Sequence, residues 1–251
     1  MIIDVITYNG EAELFEIRYN ILKDFVDEFR VIEFDQTFSG KKKDKKFNQN
    51  YPKVKHYFVT KDIWRKYENL AWQSPNTLGA EHWKREFMQK ESIKDFLTDL
   101  DDENIIYIGD TDEIYESFSN PGNSVFKLKL RVYTYWLNNR SSEQFWGTIV
   151  GKYKNIKGKC LNHLRQNDSI KTETEWGWHF TSMGGYDMVK KKLTDSYTKE
   201  TYAIEYILNN LHDSMRNIKD FLGRDFAYKK EEGEWPKYLQ EHKDKYSQLC
   251  L

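Results

Sequence analysis

Residues 105–113, Ile-Ile-Tyr-Ile-Gly-Asp-Thr-Asp-Glu, set three carboxylates directly behind a run of apolar strand formers. Asp110, Asp112 and Glu113 are close enough to repel one another unless something positive lies between them. Two aspartates two residues apart on a turn can share one hard divalent cation, Mg²⁺ or Mn²⁺, and that ion can hold the phosphates of a nucleotide. The plainer alternative is a helix start. Acids at the head of a helix running through residues 114–118 would be favoured by its dipole.

The elements that would position these carboxylates follow from periodicity. Residues 2–8 are apolar and β-branched and predict a strand. In residues 11–29, Leu14, Ile17, Ile21, Leu22 and Phe25 recur at helical spacing. Strands are predicted over 30–35 and 54–60, with a polar, basic loop between them that carries Lys41, Lys42, Lys43, Lys45 and Lys46. Such a run is usually a solvated face. Residues 61–80, with Pro75 and Gly79, predict an irregular segment, and residues 81–100 a helix. In the second half, strands are predicted over 124–138, 145–153 and 177–183, and helices over 185–197 and 202–218. Strand–helix alternation over residues 1–118 predicts an α/β fold with a mostly parallel sheet. In open sheets of this kind, ligands bind at the carboxyl ends of the strands, where Asp110 and Asp112 stand.

Composition narrows the function. The chain has 251 residues, 39% hydrophobic and 31% charged, which suits a packed domain and argues against global disorder. A net charge of -1 gives no general basis for binding nucleic acid. Two cysteines, Cys160 and Cys250, are too few for a disulfide framework. No apolar run reaches the length of about 18 residues needed to span a bilayer, and residues 1–10 lack the pattern of a signal peptide. The expectation is a soluble, cytoplasmic chain without a transmembrane segment.

Several stretches together resemble glycosyltransferase family 17. They are "EIRYNIL" (16–22); "VIEFDQTFSGKKKDKKFNQN" (31–50), with Glu33, Thr37, Phe38, Gly40, Lys41, Lys43, Phe47 and Asn50 in register; and Trp83, Arg85, Glu86 and Gln89 on the helix "HWKREFMQKESI". They continue with "IIYIGDTDEI", "GWHFTSMGG" (177–185) and the closing "WPKYLQEHKDKY" (235–246). The chain departs from the pattern at Lys90 and Glu91, where Arg-Asn is usual, at Lys42 and Asp44, where prolines are usual, and at Thr181, where Ser is usual. A competing pattern is that of haloacid-dehalogenase-like phosphatases, with Asp110 as nucleophile. There a Thr or Val stands where this chain has Ile114.

The resemblance implies a GT-A type, Rossmann-like fold in a single domain spanning 1–251. Residues 1–118 would be the nucleotide-sugar-binding half and 119–251 the acceptor-side half. It implies an inverting, metal-dependent transfer from a UDP-sugar, N-acetylglucosamine above all, to a glycan or glycolipid. Asp110 and Asp112 would hold Mn²⁺ or Mg²⁺ and the diphosphate, with His179 as a third metal ligand; the alternative for His179 is a core residue. Glu33 would contact base or ribose, Arg85 the donor phosphates, and Gly184 and Gly185 would let backbone approach the ligand. The general base would be Glu113 or Asp187, with Glu143 and Glu175 also open. The basic loop would close over the diphosphate or face an anionic membrane. A catalytically silent sugar-nucleotide or glycan-binding domain is the functional alternative.

Overall fold

The computed structural model describes residues 1–48, 50–74, 80–118, 120–197 and 204–251. Strand β1 (Ile2–Tyr8) leads through α1 (Ala12–Leu22) to β2 (Glu28–Phe34) and, past the basic loop, to β3 (Val54–Val59). Three helical pieces follow: α2 (Lys61–Trp64), a 3-10 turn over Arg65–Tyr67, and α3 (Glu68–Gln73). They replace the irregular segment predicted there; Pro75 and Gly79 lie outside the described residues. Helix α4 (Glu81–Ser92) tightens into a 3-10 turn over Ile93–Phe96 and feeds β4 (Ile105–Asp110). The chain continues through β5 (Glu113–Tyr115), β6 (Val125–Thr134), β7 (Asn139–Lys152), α5 (Tyr153–Ile156), α6 (Leu161–Gln166), β8 (Lys171–Thr181), α7 (Gly185–Ser196) and α8 (Ile204–Arg216). It ends with β9 (Tyr228–Lys230) and α9 (Lys237–Glu241).

The sheet order is β3-β2-β1-β4-β7-β6-β8-β5, with β9 on β7. The first four strands are parallel, as predicted. The expectation of a mostly parallel sheet fails beyond them. β7 runs antiparallel to β4, β6 and β9, and β5 antiparallel to β8; only β6–β8 is parallel there. The reason is the connection. Only residues 135–138 link β6 to β7, and so short a link allows a hairpin and no crossover helix. Two residues separate β4 from β5, yet β5 pairs at the far end of the path, so the mixed sheet curls into a half-barrel.

That pairing also overturns the helix-start reading of residues 110–113. Glu113, Ile114 and Tyr115 stand opposite His179, Trp178 and Gly177, and Ile114 and Tyr115 are fully buried. The neighbouring strand offers these backbone groups partners, and burial of two apolar side chains favours it over an exposed helix end. Apolar cores fill both faces of the parallel half. Ile3 and Val5 pack with Phe87 and Met88 of α4, and Ile6 and Tyr8 with Phe15 and Tyr19 of α1. Among the described residues, no helix is long and apolar enough to cross a membrane, and both cysteines are free.

Candidate active site

A cleft of about 360 Å³ opens at the carboxyl ends of β1, β2 and β4, walled by α4, α6, α7 and β8. Asp110 ends β4 beside Thr7 of β1. The Thr7 hydroxyl donates to Oδ1 at 2.5 Å, while Arg165 Nη2 at 2.8 Å and Lys90 Nζ at 3.3 Å reach Oδ2. Burial would raise this carboxyl; the charges of Lys90 and Arg165 outweigh it and hold Asp110 well below the usual carboxylate range. Asp112 is likewise lowered against its burial, by Lys192, whose Nζ donates to Oδ2 at 2.9 Å, and by His179.

Glu113 is fully buried. Its Oε2 accepts from Thr148 at 3.0 Å and from Arg165 Nη1 at 3.4 Å, and its Oε1 accepts from Arg165 Nη2. Two glycines make room for it. A Cβ on Gly109 would lie 2.6 Å from Glu113 Oε2, and one on Gly147 would lie 2.6 Å from Glu113 Cδ. The three carboxylates therefore coexist because Lys90, Arg165 and Lys192 arrive from three different helices and stand between them.

His179 also faces the cleft. Its neighbours Trp178 and Phe180 are buried in the core on the opposite side of β8, as strand alternation requires. The imidazole stacks on Phe145, with ring centroids 4.0 Å apart, and Nε2 lies 3.6 Å from Asp112 Oδ2. Among the described residues, Nδ1 is buried without a hydrogen-bond partner.

The other predicted site residues stand elsewhere. Glu33 is fully buried and accepts from the backbone nitrogens of Lys46 and Phe47, at 2.9 and 3.0 Å, and contacts His56 Nε2 at 3.1 Å; it fastens the basic loop. Arg85 donates to the Phe38 carbonyl of the same loop at 2.6 Å. Gly184 and Gly185, at φ 93° and 76°, form the left-handed turn between β8 and α7, and a Cβ on Gly184 would meet Met188 Cγ at 2.9 Å. Asp187 is exposed on the first turn of α7. Glu143 pairs with Arg224, and Glu175 with Arg140. None of these seven lines the cleft.

Sequence reasoning missed Arg165, Lys192, Thr7 and Thr148. Arg165 sits on a short helix with no motif, and Lys192 in the run "KKK" of α7, which reads as a solvated face. Gly109, between an apolar strand and an acid, was the one local signal that something must pack tightly there.

The donor set bears on the expected metal. Among the described residues, six acids line the cleft (Glu11, Glu86, Asp110, Asp112, Glu113 and Asp195) against the four cations Lys43, Lys90, Arg165 and Lys192, a formal excess of two negative charges. Among the described residues, no three His, Cys, Asp or Glu stand together as a metal-holding group, so Asp110, Asp112 and His179 are not assembled as the expected triad. Mg²⁺-like ions commonly take one or two carboxylates, with water and substrate phosphate completing the shell. Two aspartates in a cleft with this charge excess fit an ion bound in that way.

The sequence profile of glycosyltransferase family 17 matches residues 1–231. Comparison with curated proteins and with solved structures gives no significant match. With the profile running from β1 through β9, across every strand that builds the cleft, the chain belongs to glycosyltransferase family 17 and is a glycosyltransferase.

Proposed function

We propose that the protein transfers a sugar, N-acetylglucosamine, from a UDP-sugar to a hydroxyl of a glycan or glycolipid, inverting the anomeric carbon and using Mn²⁺ or Mg²⁺. The observation that carries this reading is the placement of Asp110 and Asp112 together at the β4–β5 turn, inside a cleft with an excess of acid. The parallel order β3-β2-β1-β4 supports a Rossmann-like, GT-A type donor half over residues 1–118. Residues 119–251 form the acceptor-side half and contribute Phe145, His179 and Thr181 to the cleft. Membership in a glycosyltransferase family sets the phosphatase reading aside.

Asp110 and Asp112 would hold the divalent ion, which when bound supplies charge to the departing diphosphate. Thr7 fixes the orientation of the Asp110 carboxylate. Lys90, Arg165 and Lys192 compensate the carboxylates and can donate to phosphate oxygens. His179 positions Asp112 and, by stacking on Phe145, shapes the acceptor wall. Of the two carboxylates expected to act as base, Glu113 lines the cleft and Asp187 does not. Arg165 and Thr148 occupy both Glu113 oxygens, so Glu113 accepts a proton from the acceptor hydroxyl only after Arg165 turns away.

The test is UDP release from a panel of UDP-sugars, with Mn²⁺ or with EDTA, alongside melting curves with UDP. Sugar-dependent release, and a larger UDP-induced rise in Tm with Mn²⁺ than with EDTA, are expected, since a ligand that binds only the folded state stabilises it. Stabilisation by UDP-sugars with no release in any condition would instead identify a silent binding domain. Equal shifts in both buffers would count against the metal.

A further inference from the structure

Of the five lysines of the basic loop, four are exposed; Lys43 is 9% exposed and lines the cleft. Its position is built. The Lys43 backbone nitrogen donates to the Asp35 carbonyl at 2.7 Å, and Gln36 bridges Lys42 across the loop. Helix α4 holds the loop from one side, with Gln89 donating to the Gln36 carbonyl at 2.9 Å and Arg85 to that of Phe38. Helix α7 holds it from the other, where Ser39 donates to the carbonyls of Thr194 and Asp195, both at 2.8 Å. The loop therefore bridges the cleft between the two helices, and Lys43 projects from it into the space beneath.

Among the described residues, every other cation lining the cleft already has a carboxylate. Lys90 pairs with Glu86 and Asp110, Arg165 with Asp110 and Glu113, and Lys192 with Asp112. Among the described residues the Lys43 ammonium makes no hydrogen bond and no ion pair. Burial pushes it down to about 8, and the more distant charges of Glu33 and Glu11 only partly oppose this. A desolvated ammonium without a partner is unfavourable in the empty protein and becomes favourable when an anion arrives.

We infer that Lys43 is a residue that binds the phosphates of the nucleotide donor, its ammonium being, among the described residues that line the cleft, the one unpaired positive charge. This rests on the reading of the cleft as a nucleoside-diphosphate-sugar site and goes beyond it. Lys43 comes from the loop after β2, while Asp110 and Asp112 stand at the end of β4, and β1 lies between those strands. A diphosphate laid across the end of β1 has the aspartate pair on one side and Lys43 on the other.

The experiment is calorimetric titration of the full chain with uridine, UMP and UDP in the presence of Mn²⁺, for wild type, Lys43→Met and Lys43→Gln, with a melting curve of each protein alone. Lys43→Met is expected to melt no lower than wild type, to bind UDP about tenfold or more weakly, the scale of one charge-assisted hydrogen bond, and to bind uridine within about twofold of wild type. Lys43→Gln covers the case in which the apolar variant does not fold. Unchanged UDP affinity in a folded variant would overturn the assignment while leaving the donor site standing. Equal losses for uridine and UDP, or a large fall in Tm, would also overturn it, because the role would then be shape or packing. A wild type that binds none of the three would remove the donor reading itself, and this inference with it.

Discussion

Arg18 grips Asp4 with two arms of its guanidinium, Nε to Oδ2 at 2.7 Å and Nη2 to Oδ1 at 2.5 Å, and neither side chain has any exposed surface. The remaining arm, Nη1, donates to the backbone carbonyls of Asp110, at 3.3 Å, and Glu113. The buried pair thus lies beneath the turn that carries the site carboxylates and ties it to β1 and α1.

Arg18→Met should destabilise the protein by about 3–5 kcal/mol, because it strands Asp4 as a buried, uncompensated charge. Urea denaturation measures this. Arg18→Met paired with Asp4→Asn should recover part of the loss. A single-variant loss under about 1 kcal/mol would show that the turn does not depend on this pair.

Asp112→Asn removes charge from the cleft without opening a cavity. The variant should stay folded, with UDP-sugar turnover down at least about a hundredfold, as when a central electrostatic group is lost. Turnover assays and a melting curve test this together. Near-normal turnover would take Asp112 out of the reaction.

His179→Ala should weaken Mn²⁺-dependent UDP binding and cost only about 1 kcal/mol of stability, the worth of its stacking on Phe145. Trp178 and Phe180 carry the packing of this strand, and they stay. A Mn²⁺ titration with UDP present, set beside a ligand-free melting curve, separates the roles. A loss of several kcal/mol with unchanged metal affinity would make His179 a core residue.

Lys43 gives a pH dependence of a definite sign. Burial depresses its folded value to about 8, below the ordinary 10.5, with Glu33 of β2 and Glu11 ahead of α1 raising it and Lys191 of α7 and the nearby Lys46 lowering it. Between these values the unfolded chain holds a proton that the folded chain has released, so this group makes stability rise with pH across that window. Below pH 8 its penalty is fully present. Lys43→Met should therefore be the more stable protein at pH 7, and its advantage should shrink as pH rises from 8 to 10.5. Denaturation at a series of pH values checks this; an advantage that grows with pH would contradict it.

Much of the parallel half was legible in the sequence. β1, β2, β3 and β4 announce themselves as short apolar runs, and the alternation with α1 and α4 gives their parallel direction. The Asp-Thr-Asp-Glu cluster could be placed at a strand's carboxyl end because strand end and acids are contiguous in the chain. Side-chain alternation about His179 was equally local, and it held. These signals survive because a period of 2 or 3.6 is written in neighbouring residues.

Tertiary structure decided what depends on residues far apart in the chain. Arg165 meets Asp110 across 55 positions, and Lys192 meets Asp112 across 80. Nothing near either cation marks it as a partner rather than a solvated charge. The antiparallel placing of β7 beside β4, and of β5 beside β8, likewise pairs strands that stand far apart in the chain. The sequence marks Glu33 as a strand-end acid and Arg85 as a helix cation, and the path of the basic loop delivers backbone groups to both. A charged side chain takes the partner that the fold brings within reach, and the sequence alone gives only its charge.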